Sequence, residues 1–137
     1  MYGVYNLERN TLVGYFVDEK NWRVFLEFLK MVRRHYRHSG VLHIVLDNAS
    51  FHRKAEVVDY AAAHQIRFYW TPTSASWLNR IESHFTAVRK FALDNTDYQS
   101  HEEQEAAINT YLIWRNGGCN IRIQAWRSYK HRLKKAA

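Results

Sequence analysis

Residues 41–82 read VLHIVLDNASFHRKAEVVDYAAAHQIRFYWTPTSASWLNRIE, and the order of apolar and polar runs in this stretch decides the fold. Val41 to Leu46 is apolar apart from His43, the pattern of a strand covered on both faces, and it reads as a central parallel strand fed by a helical crossover. Lys54 to His64, with Ala55, Val57, Val58, Tyr60, Ala61 and Ala62, reads as a short alanine-rich helix. Ile66 to Trp70 is a second strand, and Pro72 removes a backbone donor where that strand must stop. In α/β sheets of this kind, ligand-binding groups gather just beyond the carboxyl ends of the strands, and Asp47 falls there. His43 in mid-strand reads as a hydrogen-bonded core residue rather than a ligand.

Working outward, Tyr2 to Asn6 and Leu12 to Val17 are short β-branched and aromatic runs separated by Leu7 to Thr11, which predicts a β-hairpin. Asn21 can cap a helix whose apolar positions Trp22, Phe25, Leu26, Leu29, Val32 and Tyr36 recur at three- and four-residue steps, ended by Ser39-Gly40. Arg23, Lys30, Arg33, Arg34 and Arg37 lie largely on its other face, which reads as solvated surface ahead of a nucleic-acid site. On the C-terminal side, Ser76 or Thr73 can cap a helix through Trp77, Leu78, Ile81, Phe85, Val88 and Leu93. A last helix is expected from His101 to Trp114, with Ala107, Ile108, Tyr111 and Leu112 inward and Gly117-Gly118 ending it. The expected order is β, β, α, β, α, β, α, α. There is no internal repeat or linker, so residues 1–137 are expected to form a single domain.

Composition limits what such a domain can be. With 137 residues, 47% hydrophobic and 15% aromatic, the chain can bury a core, and disorder is excluded. The single cysteine, Cys119, excludes a disulfide framework and a cysteine-based zinc site. No apolar run is long enough to span a bilayer and no signal-peptide pattern follows Met1, so a soluble, cytoplasmic protein is expected. The net charge of +7 is placed unevenly. Arg115, Arg122, Arg127, Lys130, Arg132, Lys134 and Lys135 fall after residue 105 with no acid among them, which leaves 13 basic and 13 acidic residues in the rest. A basic tail over 115–137 with Trp126 and Tyr129 interleaved could attract phosphate backbones, or could equally be a solubilising helix end.

Asp47 at a strand end and Glu82 on a later helix lie 35 positions apart, yet a strand-helix-strand return could bring them together. Two hard oxygen donors converging at a sheet edge suit Mg²⁺ or Mn²⁺. Facing a basic groove, their natural reaction would be phosphodiester cleavage or transfer. Leu78, Ile81 and Phe85 would bury one side of the helix and leave Glu82 at the edge of that stripe. Taken alone, the two residues read rather as a capping aspartate and an ordinary surface glutamate on a helix.

The paired segments Val45-Leu46-Asp47-Asn48-Ala49-Ser50-Phe51-His52 and Thr71-Pro72-Thr73-Ser74-Ala75-Ser76-Trp77-Leu78-Asn79-Arg80-Ile81-Glu82-Ser83-His84-Phe85 resemble the second and third acid motifs of DDE transposases of the mariner-like superfamily, and most closely its bacterial insertion-sequence branch. The spacing of 34 intervening residues is also similar, and Tyr111 to Asn116 resembles the family's closing helix. The resemblance implies an integrase-like, RNase H-like mixed sheet flanked by helices. It implies Asp47 and Glu82 as metal-binding catalytic acids, with Asn48, His52 and Asn79 as site support. It further implies Mg²⁺ or Mn²⁺ as cofactor and cleavage and strand transfer of double-stranded DNA at insertion-sequence ends. A bacterial, DNA-associated protein follows from it, and a homodimer is compatible with it. Trp77 and Leu78 would be packing residues that fix the glutamate helix.

The resemblance also carries a departure. Such enzymes place a first aspartate on the first, central strand, whereas Glu8, Asp18, Glu19 and Glu27, the only acids before Asp47, do not end a buried strand. The hairpin maps best onto the family's second and third strands, so the first strand and its aspartate are expected to be missing and the chain inactive alone. Losing that strand would leave rows of unpaired backbone groups, each costing roughly 1 to 3 kcal/mol if buried. Either the sheet closes differently or an upstream polypeptide, joined by frameshifting, supplies the strand. A nonenzymatic DNA-binding module that keeps Arg122, Arg127, Lys130, Arg132, Lys134 and Lys135 is the alternative of another class, and an RNase H-like nuclease acting on RNA is a third.

Overall fold

The computed structural model describes residues 1–72 and 80–118. Along them run β1 (Tyr2–Asn6), β2 (Thr11–Tyr15), α1 (Trp22–His35), β3 (Leu42–Leu46), a 3₁₀ turn (Ser50–Arg53), α2 (Ala55–Ala63), β4 (Ile66–Trp70), α3 (Ile81–Ala92) and α4 (His101–Arg115). The order and type of the strands and α-helices match the sequence expectation, the 3₁₀ turn being unexpected, and the architecture is the mixed α/β of an RNase H-like domain. By their contacts the residues divide into two units, Val17–Glu82 and Met1–Phe16 with the described part of Ser83–Ala137.

In the unit Val17–Glu82, the Asn21 side chain accepts a hydrogen bond from the Val24 N–H at 3.0 Å and so caps α1. The helix buries Phe25, Phe28, Leu29, Met31 and Val32, the inward set of its 3.6-residue period. β3 and β4 pair in parallel, from Leu42 opposite Ile66 to Leu46 opposite Trp70. The ladder runs on past both ends, through Leu42 N–H to Gln65 O at 2.8 Å and Thr71 N–H to Leu46 O at 3.0 Å. Leu46, Val57, Ala61 and Ile66 are buried where α2 returns over the pair.

Two expectations for β3 are corrected. The strand is not covered on both faces: His43 and Val45 are exposed, Val45 by 49%, while only Leu46 is fully buried. Nor is it central, since β4 is its one neighbour among the described residues. An apolar run records what surface a strand could bury, whereas burial needs a covering layer and a second neighbouring strand. His43 is accordingly not a core residue, although it is hydrogen-bonded as expected, its Nδ1 lying 2.9 Å from the Tyr69 hydroxyl on the neighbouring strand.

In the other unit, β1 and β2 form an antiparallel hairpin with Tyr2 opposite Tyr15 and Asn6 opposite Thr11. Asn10 takes the left-handed φ of 50° that the turn needs. The α4 helix closes on this hairpin through Asn116, whose side-chain amide accepts from the Leu12 N–H at 2.9 Å and donates to the Leu12 carbonyl at 2.8 Å, acting as a one-residue strand. Arg115 adds bonds to the Asn10 carbonyl at 2.6 Å and its side-chain oxygen at 2.9 Å. At Gly14 an added Cβ would sit 2.9 Å from Leu112 Cδ1 and from Met1 Sδ, so a side chain there would have to displace the tips of these two residues. Gly117 and Gly118, at φ 69° and 80°, end α4 with the Gly118 N–H on the Ile113 carbonyl at 2.9 Å.

Among the described residues the strands form two two-stranded sheets, β1–β2 and β3–β4. The expected caps Thr73 and Ser76, the residues Trp77, Leu78 and Asn79, and the basic positions Arg122, Arg127, Lys130, Arg132, Lys134 and Lys135 lie outside the described residues. Among the described residues no helix is long and apolar enough to cross a membrane.

Candidate active site

Asp47 follows the last residue of β3, where the parallel ladder ends and the chain leaves the sheet. Its side chain is half exposed, at 49%, and is held by its Oδ1 atom. Oδ1 accepts from the Ala49 N–H at 3.2 Å, an Asx turn that bends the chain away from the strand, and lies 3.0 Å from His52 Nδ1. Oδ2 makes no hydrogen bond among the described residues, so one carboxylate oxygen is anchored and the other is left for a ligand.

His52 reaches Asp47 from the 3₁₀ turn at Ser50–Arg53, and its Nδ1 also lies 3.3 Å from the Asp47 carbonyl. Both partners can only accept, so Nδ1 carries the ring proton and donates. The ring is 8% exposed and packs against Phe25 and Phe51, each at a centroid distance of 4.2 Å. Burial pushes its pKa below the ordinary value, against the opposing pull of the Asp47 carbonyl and carboxylate. A neutral imidazole with one fixed N–H is therefore the orienting group for the aspartate.

Asn48 fixes the two strand ends to each other. Its Nδ2 donates to the Thr71 carbonyl just beyond β4, while its Oδ1 accepts from Arg53. The Arg53 guanidinium lies 4.9 Å from the centre of the Trp70 ring, which places a cation over the last residue of β4. The parallel register makes this possible: Leu46 is opposite Trp70, so Asp47 and Thr71 leave the sheet side by side. The segment leading to Glu82 therefore starts next to Asp47.

Glu82 is exposed in the first turn of α3, where a carboxylate is favoured by the helix dipole. Two residues further along the sequence, His84 packs on the Tyr5 ring at 4.1 Å. Of the expected site residues, the structure brings Asp47, Asn48 and His52 into one bonded cluster and sets Glu82 at a helix start, while Asn79 lies outside the described residues. Sequence reasoning gave no role to Arg53 or Thr71. The signal for Arg53 was its position five residues after Asn48, one 3₁₀ turn away; Thr71 contributes a backbone carbonyl, for which no residue type is a signal.

The donor chemistry fits a divalent cation, because both candidate ligands are hard carboxylate oxygens and Asp47 has one oxygen unengaged. Among the described residues no group of three or more His, Cys, Asp or Glu side chains converges as a metal site. Asp47 and Glu82 can thus contribute to such a centre without filling it.

The sequence model of the DDE superfamily endonucleases matches residues 1–105, and so takes in both carboxylates and every element from β1 to the start of α4. Endonucleases of that family generally depend on divalent metal. No curated protein matches the chain.

Proposed function

This chain belongs to the DDE superfamily endonuclease family, and on that premise we propose that it is the catalytic portion of a DNA transposase of the mariner-like superfamily, from the bacterial insertion-sequence branch. Its substrate is double-stranded DNA at the ends of the element, which it cleaves and joins to a target. The observation that carries this reading is Asp47: a half-exposed carboxylate at the carboxyl end of a parallel strand, anchored through one oxygen by a buried neutral histidine.

Asp47 and Glu82 would hold Mg²⁺ or Mn²⁺, which when bound activates a water or hydroxyl nucleophile and stabilises the leaving oxygen. The chain's own residues prepare that centre. His52 holds Asp47 at the strand end and, being neutral and buried, adds no charge that would compete with a cation. Asn48 ties the loop carrying Asp47 to the start of the segment carrying Glu82. Asn79 would, by the resemblance, support the segment before Glu82. The basic residues Arg122, Arg127, Lys130, Arg132, Lys134 and Lys135 hold the duplex through its phosphates.

The third carboxylate is supplied by a strand from outside these residues that pairs with the unoccupied edge of β3. Support comes from that edge and from the exposed Val45 on the same strand, which a further layer would cover. Without it the chain is inactive. Metal-dependent nicking of a transposon-end duplex should therefore be absent with this chain alone and present when the upstream-encoded polypeptide is added or fused. No nicking by the completed protein, or unchanged nicking after Asp47→Asn, overturns the reading; duplex binding without any nicking would instead leave a nonenzymatic DNA-binding module.

A further inference from the structure

A cleft of about 320 Å³ opens between the C-terminal half of α1 and Tyr60 of α2, lined by Lys30, Arg33, Arg34, Arg37 and Tyr60. Its position follows from the connections. α1 is joined to the start of β3 by residues 36–41 and α2 to the start of β4 by residues 64–65, so the ends that form the cleft lie toward the beginnings of the strands. Asp47 lies beyond the other end of β3. Leu42 to Leu46 puts roughly 13 Å of strand between the two places. The cleft is therefore separate from the candidate active site.

Four cations line it, and one carboxylate offsets them: Glu27 pairs with Lys30 at 2.6 Å. Lys30 also lies 5.9 Å from the centre of the Tyr60 ring. Arg33 has a different task. Its guanidinium donates to the carbonyls of Ser39 at 2.6 Å, Gly40 at 3.0 Å, Tyr36 at 3.0 Å and Arg37 at 3.4 Å. A helix C-terminus ordinarily repels anions through its unsatisfied carbonyls. Here Arg33 engages the carbonyls of the turn that follows α1, so these oxygens are turned to its guanidinium and away from an incoming anion. Arg34 and Arg37 are exposed; Arg34 makes no hydrogen bond or ion pair among the described residues, and Arg37 bonds only His38, through its Nε at 2.9 Å. The Tyr60 phenol, whose pKa burial raises, stays protonated and can donate.

We infer that this cleft binds backbone phosphates of duplex DNA away from the reacting phosphodiester, with Arg34 and Arg37 as the contacts, Arg33 as the positioning residue and Tyr60 as the wall. The inference rests on the reading of duplex DNA as substrate. Arg34, in the last turn of α1, and Arg37, in the turn just after it, both line the cleft and can meet phosphates along one strand. A solvated basic face would lack both the concave wall and the carbonyl-covering arginine.

The test uses the whole chain and a fluorescein-labelled 20-base-pair duplex of arbitrary sequence, with affinity read by anisotropy over a series of salt concentrations. Arg34→Ser with Arg37→Ser should lower the slope of log affinity against log salt by roughly 1.8, about 0.9 for each lost phosphate contact. Arg34→Lys with Arg37→Lys should restore it. Both positions are exposed and Arg33 is untouched, so melting temperatures should be unchanged; the single Arg34→Ser variant, with a slope loss of roughly 0.9, decides the matter should the double variant fail to fold. Wild-type binding with an unchanged slope in the serine variants overturns the cleft assignment and leaves the DNA reading standing. Absence of wild-type duplex binding at low salt overturns both. Inorganic phosphate titrated calorimetrically provides the third arm: heat that vanishes in the serine variants while the duplex slope does not move makes the cleft a small-anion site and overturns the DNA assignment.

Discussion

At Asp47 the two carboxylate oxygens have different surroundings, and that difference sets what substitutions there should do. Oδ1 is tied down by Ala49 and His52, while the side chain as a whole is half in solvent. Asp47→Asn should therefore leave the fold nearly as stable, within about 1 kcal/mol by urea denaturation, because a neutral amide can still accept through one oxygen. In the completed protein it should abolish metal-dependent nicking. His52→Phe isolates orientation from packing: the ring contacts with Phe25 and Phe51 are kept and the Nδ1 donor is lost. The metal concentration needed for half-maximal nicking should rise by roughly 10- to 100-fold, as it does when an outer partner of a metal ligand is removed. A change only in melting temperature would limit His52 to packing. Asn48→Ala should cost about 1 kcal/mol or somewhat more, because the Thr71 carbonyl and Arg53 both lose a partner. At this scale Asp47, Asn48 and His52 were legible as a group from the Asp-Asn-Ala-Ser-Phe-His run. The partners were not, because Thr71 offers only backbone and Arg53 lies in a turn whose pitch the residue types do not announce.

Among the elements, α4 and the β1–β2 hairpin show how little side-chain chemistry is needed to join a helix to a sheet. The Asn116 amide satisfies both backbone groups of Leu12, a residue 1% exposed. Asn116→Ala would strand a buried N–H and a buried C=O, and should destabilise the chain by about 2 to 4 kcal/mol, at roughly 1 to 3 kcal/mol for each orphaned group with partial relief from water. Thermal melting would show a negligible shift only if water fully replaces the amide. Gly14→Ala should cost about 1 kcal/mol, since the new methyl meets only the tips of the Leu112 and Met1 side chains, which must move aside. Pairing it with Leu112→Val should recover part of that loss, which a purely conformational effect at Gly14 would not allow. The helices themselves were readable because Asn21, the periodic apolar positions of α1 and the Gly117-Gly118 terminator are local signals. The reach of Asn116 across 104 positions to Leu12 is not local, and no pattern in the chain marks it.

For the whole molecule, the excess of positive charge sits in the C-terminal residues, while the first 105 balance. Replacing Lys130, Arg132, Lys134 and Lys135 with alanine should lower the salt slope of duplex binding by up to about 3.6, with no effect of Asp47→Ala or Glu82→Ala on that slope beyond their own charge. A slope that ignores those four residues would move the DNA-binding surface to other parts of the chain.

What the sequence determined by itself was the succession of strands and helices, because strand and helix periods, caps and terminators act over a few residues. Tertiary structure alone decided that β3 pairs with β4 and has no second neighbour among the described residues, that one of its faces is exposed, and that Asp47 is anchored through a single oxygen. Pairing and burial depend on which surfaces meet across long separations in the chain. The apolar run of β3 states only what it could bury, and a neighbouring strand and a covering layer are needed before that capacity is used.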